Sequence, residues 1–347
     1  MNIKNIKKDG IITLLNDKEM NIAAAQGLFE FCFYSSDHKF DYKNYANSIA
    51  DFMELNLESN EDLLFYNTRI KAAVKKENIE DYEDNYYRKN IKPECFKGSG
   101  YELCYLTINP YQALPVDDIV IDKDYVEVSR IGYFDKPFSY LAVKKDDVVW
   151  MSTDPNEINT MRESIDEAKG NVLAFGLGLG YFPIMCAVKP SVKSVTILEK
   201  DMNIINIFNK HILPLFPFKE KIKIISADAY AYVNRNDLNK FDYLFIDIWH
   251  NAEDGLPLYL KFKRMLKKEK IKVSYWLKTS IIAMFRRCFL TIVEESLMGY
   301  TDKNYKKAMN DYDVIINDLY FKTKNMTFSS IDDLKEIMQD NNLKNLI

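Results

Sequence analysis

The spacing of apolar positions changes character twice along this chain, and each change marks a boundary between predicted kinds of element. Up to about residue 95 the apolar residues cluster at helical spacing: Ile11-Ile12, Leu14-Leu15, Met20, Ile22 to Ala25, Leu28-Phe29 and Phe31 to Phe33. Further helices are expected over 45–55 and 63–76, and the charged, Tyr-rich stretch 76–92 is expected as a solvated helix or linker. From 101 to 151 the pattern shortens to β-type runs broken by turns. Leu103 to Ile108 stops at Asn109-Pro110, then come 118–121 and 125–128, and 139–143 pairs with 148–151 across the turn 144–147.

Beyond 152 strands and helices alternate. Asp154, Pro155 and Glu157 read as N-cap, first turn and capping-box partner of a helix. Its buried face is Ile158, Met161, Ile165 and Ala168, and Gly170 closes it. Four strands follow, at 172–175, 195–198, 223–225 and 241–247, and a fifth at 272–276. A helix is expected over 181–188, ended by Pro190, with others over 256–266 and 280–297. No hairpin supplies a sixth and a seventh strand. The tail runs at helical spacing through Leu343.

The chemistry gathers where these strands end. Gly176, Gly178 and Gly180 follow the first strand as GxGxG, a turn that permits positive φ and leaves no Cβ between backbone and ligand. Glu199 ends the second strand, placed to accept from both hydroxyls of a ribose, and Asp228 follows the third, placed to accept from an adenine amine. In a parallel sheet these groups face one crevice. The spacing departs from the GxGxxG of dinucleotide sites and suits a nucleoside without a pyrophosphate, such as S-adenosylmethionine. Asp247 ends the fourth strand beside the position of the transferred group. His250, three residues on, is a candidate general base or a loop histidine that hydrogen-bonds locally. Trp249 is expected to pack, and Tyr181 is a further candidate cofactor contact.

Composition narrows the class. A chain of 347 residues with 47% hydrophobic and 28% charged positions is an ordinary globular protein with room for two or three domains. Lys+Arg 47 against Asp+Glu 51 gives no footprint for nucleic acid. The five cysteines, Cys32, Cys95, Cys104, Cys186 and Cys288, show no CxxC pairing, which suits free thiols in a reducing compartment. The three histidines have no metal-ligand spacing, so no metal is expected. No stretch is long enough to span a bilayer and no leader pattern opens the chain, so a cytoplasmic location is expected.

The hairpin ending in DDVVWMSTDPNEINTM, then VLAFGLGLGYF, LEKD, SADAYAYV and FDYLFIDIWH, resembles the spermidine synthase-like branch of class I SAM-dependent methyltransferases over roughly 100–275. The resemblance implies an α/β fold: a Rossmann-like SAM-methyltransferase sheet, a small antiparallel β domain before it, and helical N- and C-terminal regions. The expected divisions are 1–95, 96–152, 153–300 and 301–347. It further implies that Gly176, Gly178 and Gly180 hold the methionine-derived part of S-adenosylmethionine. Glu199 would bind ribose, and Asp228 with the Ala229 amide would bind adenine. Spermidine synthases carry a DSSDP-like segment whose second Asp helps deprotonate the attacking amine; here His250 stands in its place, and Thr160 lies near the place of their tyrosine. Methyl transfer to a small-molecule acceptor is therefore the first expectation, with Asp247 and His250 as catalytic residues. Aminopropyl transfer and non-catalytic nucleoside binding are the alternatives. Two or more carboxylates facing the donor would favour a polyamine, and an apolar Tyr-lined pocket a neutral acceptor. Apolar helices in both terminal regions are compatible with a homodimer.

Overall fold

The computed structural model describes residues 1–3, 8–38, 40–235, 237–300 and 308–347. Part of the tail expected to be helical, 301–307, lies outside the described residues.

Five strands form one parallel sheet in the order Ile222–Ser226, Val192–Glu199, Gly170–Phe175, Tyr243–Ile246, Lys272–Tyr275. Numbered along the chain this is third, second, first, fourth, fifth, the doubly wound Rossmann-like arrangement. The strand order reverses between the first and fourth strands, which opens a crevice at their carboxyl ends. The apolar runs follow from burial on both faces. Val172, Leu173, Ala174 and Phe175 are fully buried, as are Leu244 and Ile246. Among the described residues this sheet ends at Lys272–Tyr275, and the chain continues into the helix Lys278–Leu297. Two lysines close open helix and loop ends by collecting carbonyls: Lys189 Nζ donates to Ile165, Asp166 and Ala168, and Lys221 Nζ to Ala187, Lys189 and Val192.

Two sheets stand where one small β domain is expected. Phe96–Gly98, Tyr101–Ile108, Phe138–Lys145 and Val148–Ser152 are antiparallel neighbours in that order. Val74–Lys76, Glu127–Tyr133 and Leu114–Ile121 form the second sheet. The helix expected over 63–76 is therefore corrected. It stops after Asn60–Phe65 and the wide turn Tyr66–Ile70, and Val74–Lys76 joins the edge of Glu127–Tyr133. The free ladder edge of that strand offers the segment hydrogen bonds that outweigh its helical spacing. This strand crosses the division expected at residue 95. The stretch 76–92, expected as a solvated helix or linker, is helical in part and mostly exposed, but not solvated throughout. It holds two short helices, Ile79–Glu83 and Tyr86–Asn90, whose Tyr82 and Tyr87 are each 1% exposed.

The helix Lys8–Asp37 buries one stripe, Ile11, Leu14, Ala24, Leu28 and Phe31. Lys18, Asn21 and Ser35 fall on the same stripe and are buried too. Each is satisfied there: Lys18 by Glu294, Ser35 Oγ by the Ala113 amide, and Asn21 Oδ1 by Arg69 and the Glu127 amide. The helix beginning at Asp154 is two pieces, Pro155–Thr160 and Arg162–Glu167, with Met161 at the break.

Candidate active site

The glycine turn is built by necessity. Gly176, Gly178 and Gly180 have φ of +94°, +53° and +76°, values that L side chains rarely adopt. A Cβ on Gly176 would lie 1.9 Å from the Asp247 carbonyl oxygen, and one on Gly180 would lie 2.1 Å from the Phe208 ring. Two of the glycines thus let the first strand's turn close on its neighbours. Around Gly178 there is open space, so this position presents bare backbone to a ligand. The cradle fits a nucleoside donor.

The strand ends are tied together at this point. The Gly176 amide donates to Leu198, the Ala227 amide to Glu199, and the Asp247 amide to Phe175, at 2.9 to 3.1 Å. Glu199 is half-buried and accepts from the Leu177 amide at 3.2 Å and the Asp201 amide at 2.8 Å, one with each oxygen. Each oxygen keeps a lone pair for a further donor. Asp228 is exposed and accepts from the Ala231 amide at 2.8 Å, while Ala229 is buried at the first position of the helix Ala229–Arg235. The structure brings the glycines, Glu199 and Asp247 to the ends of adjacent strands, with Asp228 and Ala229 one strand further out.

Asp247 does not stand alone. Burial, then the charge of Glu199, raises its pKa to about 7. Glu157 is held well above the ordinary carboxylate range by burial, then by Asp247, then by Asp154. Asp154 caps the helix Pro155–Thr160 through the Glu157 amide at 3.1 Å. Among the described residues the capping box expected there is half made: Asp154 accepts from the Glu157 amide, and no return bond from the Glu157 carboxylate to the cap is present. Among the described residues no lysine or arginine is a cause of either shift. Burial and like charge thus hold both groups toward their protonated forms. Glu157 is the residue that sequence reasoning missed, because its D-x-x-E spacing is fully accounted for by a cap.

The remaining candidates sit at the rim. His250 is 57% exposed, its Nδ1 lies 2.9 Å from Asp254 Oδ2, and its ring meets Trp150 edge-on at 4.7 Å. Trp249 is 5% exposed and packs on Gly255, and its buried indole N–H has no hydrogen-bond partner among the described residues. Tyr181 is buried against Tyr87 at 5.5 Å, and burial raises its hydroxyl to about 12. Tyr87 donates to the carbonyl of Leu179 at 2.6 Å and so braces the glycine turn from outside. Thr160 accepts from the Trp276 indole at 2.8 Å and donates to Asn156. From the antiparallel sheet, Tyr101 donates to Asp201 at 2.5 Å and Lys145 lies 4.7 Å over Trp150.

A separate cleft of about 1260 Å³ opens beside the stretch 76–92, lined by Tyr82, Tyr87, Arg88, Arg130, Asn159 and Arg162 among others. None of the site residues expected from the sequence lines it. Among the described residues no three His, Cys, Asp or Glu side chains are placed to hold a metal ion, and no helix is long and apolar enough to cross a membrane.

No family model matches the chain, and no curated protein matches it. Among solved structures it is similar to the spermidine synthase from Thermotoga maritima, at 16% identity over 44% of this chain and 58% of that one, with a TM-score of 0.30. It is also similar to a spermidine synthase in complex with the transition state analogue AdoDATO, at 15% identity over 57% and 63%, with a TM-score of 0.32. The chain thus spans about three fifths of the length of each. The Rossmann-like fold is carried by the strand order itself.

Proposed function

We propose that this protein is a transferase that takes a group from an S-adenosyl donor and places it on an amine. The observation that carries this is Asp247 at the end of the fourth strand with Glu157, on the helix Pro155–Thr160, near enough for the charge of Asp247 to act on it. Such a pair attracts an ammonium ion, which a pocket for a neutral acceptor has no reason to do. The pair moves the expected acceptor from an unspecified small molecule to a cationic amine.

The glycine turn and Glu199 hold the nucleoside, and Asp228 borders its base. The bound sulfonium supplies an electrophilic carbon. Asp247, half ionised near neutral pH, removes the proton that an arriving ammonium must lose before its nitrogen can attack. The nitrogen then bonds to the carbon as the carbon–sulfur bond breaks and the thioether leaves. Glu157 holds the acceptor in line, and positioning of this kind is the main catalytic demand of a displacement.

Methyl transfer is the first form of this reading. Aminopropyl transfer is the second, favoured by one observation: Glu157 is a second acidic group within the electrostatic reach of Asp247, so that a cation on the donor as well as one on the acceptor could find a carboxylate. The test is mass spectrometry of products after incubation with S-adenosylmethionine or its decarboxylated form and a panel of diamines, monoamines and neutral alcohols. An amine heavier by a methyl group supports the first form, and one heavier by an aminopropyl group the second. A product only on neutral acceptors, or no binding of either donor by calorimetry, overturns the reading.

A further inference from the structure

The strands Phe96–Gly98 and Tyr101–Ile108 form a hairpin in the register Phe96↔Leu103, Lys97↔Glu102, Gly98↔Tyr101. Its two turn residues, Ser99 and Gly100, have φ of +53° and +79°, the pattern of a type I′ turn. The pair flanking such a turn exchanges hydrogen bonds, and pair types alternate along the ladder. Phe96 and Leu103 are then hydrogen-bonded and close the ladder, and Cys95 and Cys104 are the residues one step beyond that pair on the two chain segments. Extending the register by that one step would make them a non-hydrogen-bonded pair, whose Cα atoms lie about 4.5 Å apart, inside the range of roughly 4.4–6.8 Å that a disulfide spans. Even pleating puts both side chains on one face, with Lys97 and Glu102, which form an ion pair at 3.3 Å. The thiols are close enough for the charge of Cys95 to act on Cys104. Both are free; Cys95 is exposed and Cys104 buried.

We propose that Cys95 and Cys104 are a dithiol that closes reversibly into a cross-strand disulfide, with a small disulfide of the glutathione class as oxidant. The exposed Cys95 thiolate, its proton given to water, attacks one sulfur of the oxidant and releases one molecule of thiol. Cys104 then attacks the Cys95 sulfur of the mixed disulfide and releases the second. Two protein thiols are oxidised to one bond, and one small disulfide is reduced to two thiols. Burial raises the Cys104 thiol, and Lys144 and, less, Lys97 offset only part of that.

The bond would fix a hairpin that borders the nucleoside side of the crevice. Tyr101 at its tip holds Asp201, which caps the helix Met202–Ile207, and Phe96 lies on His211 at 4.6 Å.

The experiment is treatment of the full chain with oxidised glutathione, thiol blocking, and a tryptic digest without reduction. Cleavage after Lys97 separates the cysteines into peptides 90–97 and 98–123. The expected result is these two peptides joined, lighter by two hydrogen atoms than their sum and separated by dithiothreitol. The Cys104→Ala variant should instead keep glutathione on Cys95. A wild-type chain that keeps glutathione on Cys95 to the same extent as the variant, or one whose Cys95 links to another cysteine, overturns the proposal.

Discussion

Asp247 has its proton affinity set by its neighbours, and that makes two measurements decisive. Its folded pKa, about 7, lies above its ordinary value of 3.8. The folded chain therefore favours the protonated form, and ionising Asp247 costs stability progressively as pH rises from about 4 through 7. Catalysis runs the other way, because only the ionised carboxylate takes a proton. The rate constant kcat/KM should climb with pH through about 7 and then level. Asp247→Asn should remove that climb and lower kcat by ~10²–10⁴-fold, while His250→Ala should keep the climb. The opposite pattern would move the base to His250, whose Nδ1 is already oriented by Asp254. Glu199→Ala should weaken donor binding at least ~10-fold by calorimetry, since each hydrogen bond to a charged group contributes ~1.5–3 kcal/mol. Unchanged affinity would place the nucleoside elsewhere.

At the scale of elements, the glycine turn shows why some of this protein is legible in its sequence. The five strands are continuous apolar runs because both faces of a parallel sheet are covered, so their positions and the residues at their ends can be read directly. Gly176, Gly180, Glu199 and Asp247 come to neighbouring strand ends for that reason. Val74–Lys76 is illegible because its local pattern is helical and its strand character comes from a partner more than fifty residues along. Glu157 is hidden differently: one spacing serves both a helix cap and a carboxylate within the electrostatic reach of Asp247, and only the fold distinguishes them. The turn also yields a prediction. Gly176→Ala would put a methyl carbon 1.9 Å from the Asp247 carbonyl at a φ of +94°. A displaced turn costs on the order of 1–3 kcal/mol in backbone strain alone. The melting temperature should fall and donor affinity with it. An unchanged Tm with full affinity would mean that this turn does not press on the fourth strand.

For the whole molecule, the long N-terminal helix, the three-stranded sheet and the helix Lys278–Leu297 are joined by buried polar groups as well as by their apolar faces. Arg287 pairs with Glu127 through both Nε and Nη2, and the Glu127 side chain is only 6% exposed. Arg69 joins Asp17 at 2.8 Å and Asn21 at 3.0 Å. Removing one member of a buried pair leaves a charge uncompensated, so Arg287→Ala should cost ~3–5 kcal/mol in urea unfolding. Adding Glu127→Gln should recover part of that loss. Equal midpoints for wild type and Arg287→Ala would show that the pair holds nothing together.

The smallest sheet sets a schedule for making the protein. Asn2–Ile3 lies parallel to Thr327–Phe328, so its partner is absent until residue 328 has left the ribosome. At about 5–20 residues per second, that leaves the segment unpaired for roughly a quarter of a minute to a minute. The parallel sheet over 170–275 has all its strands before then. Closure of this clasp is therefore a late event in the birth of each molecule, and a chain interrupted before residue 327 is born without it.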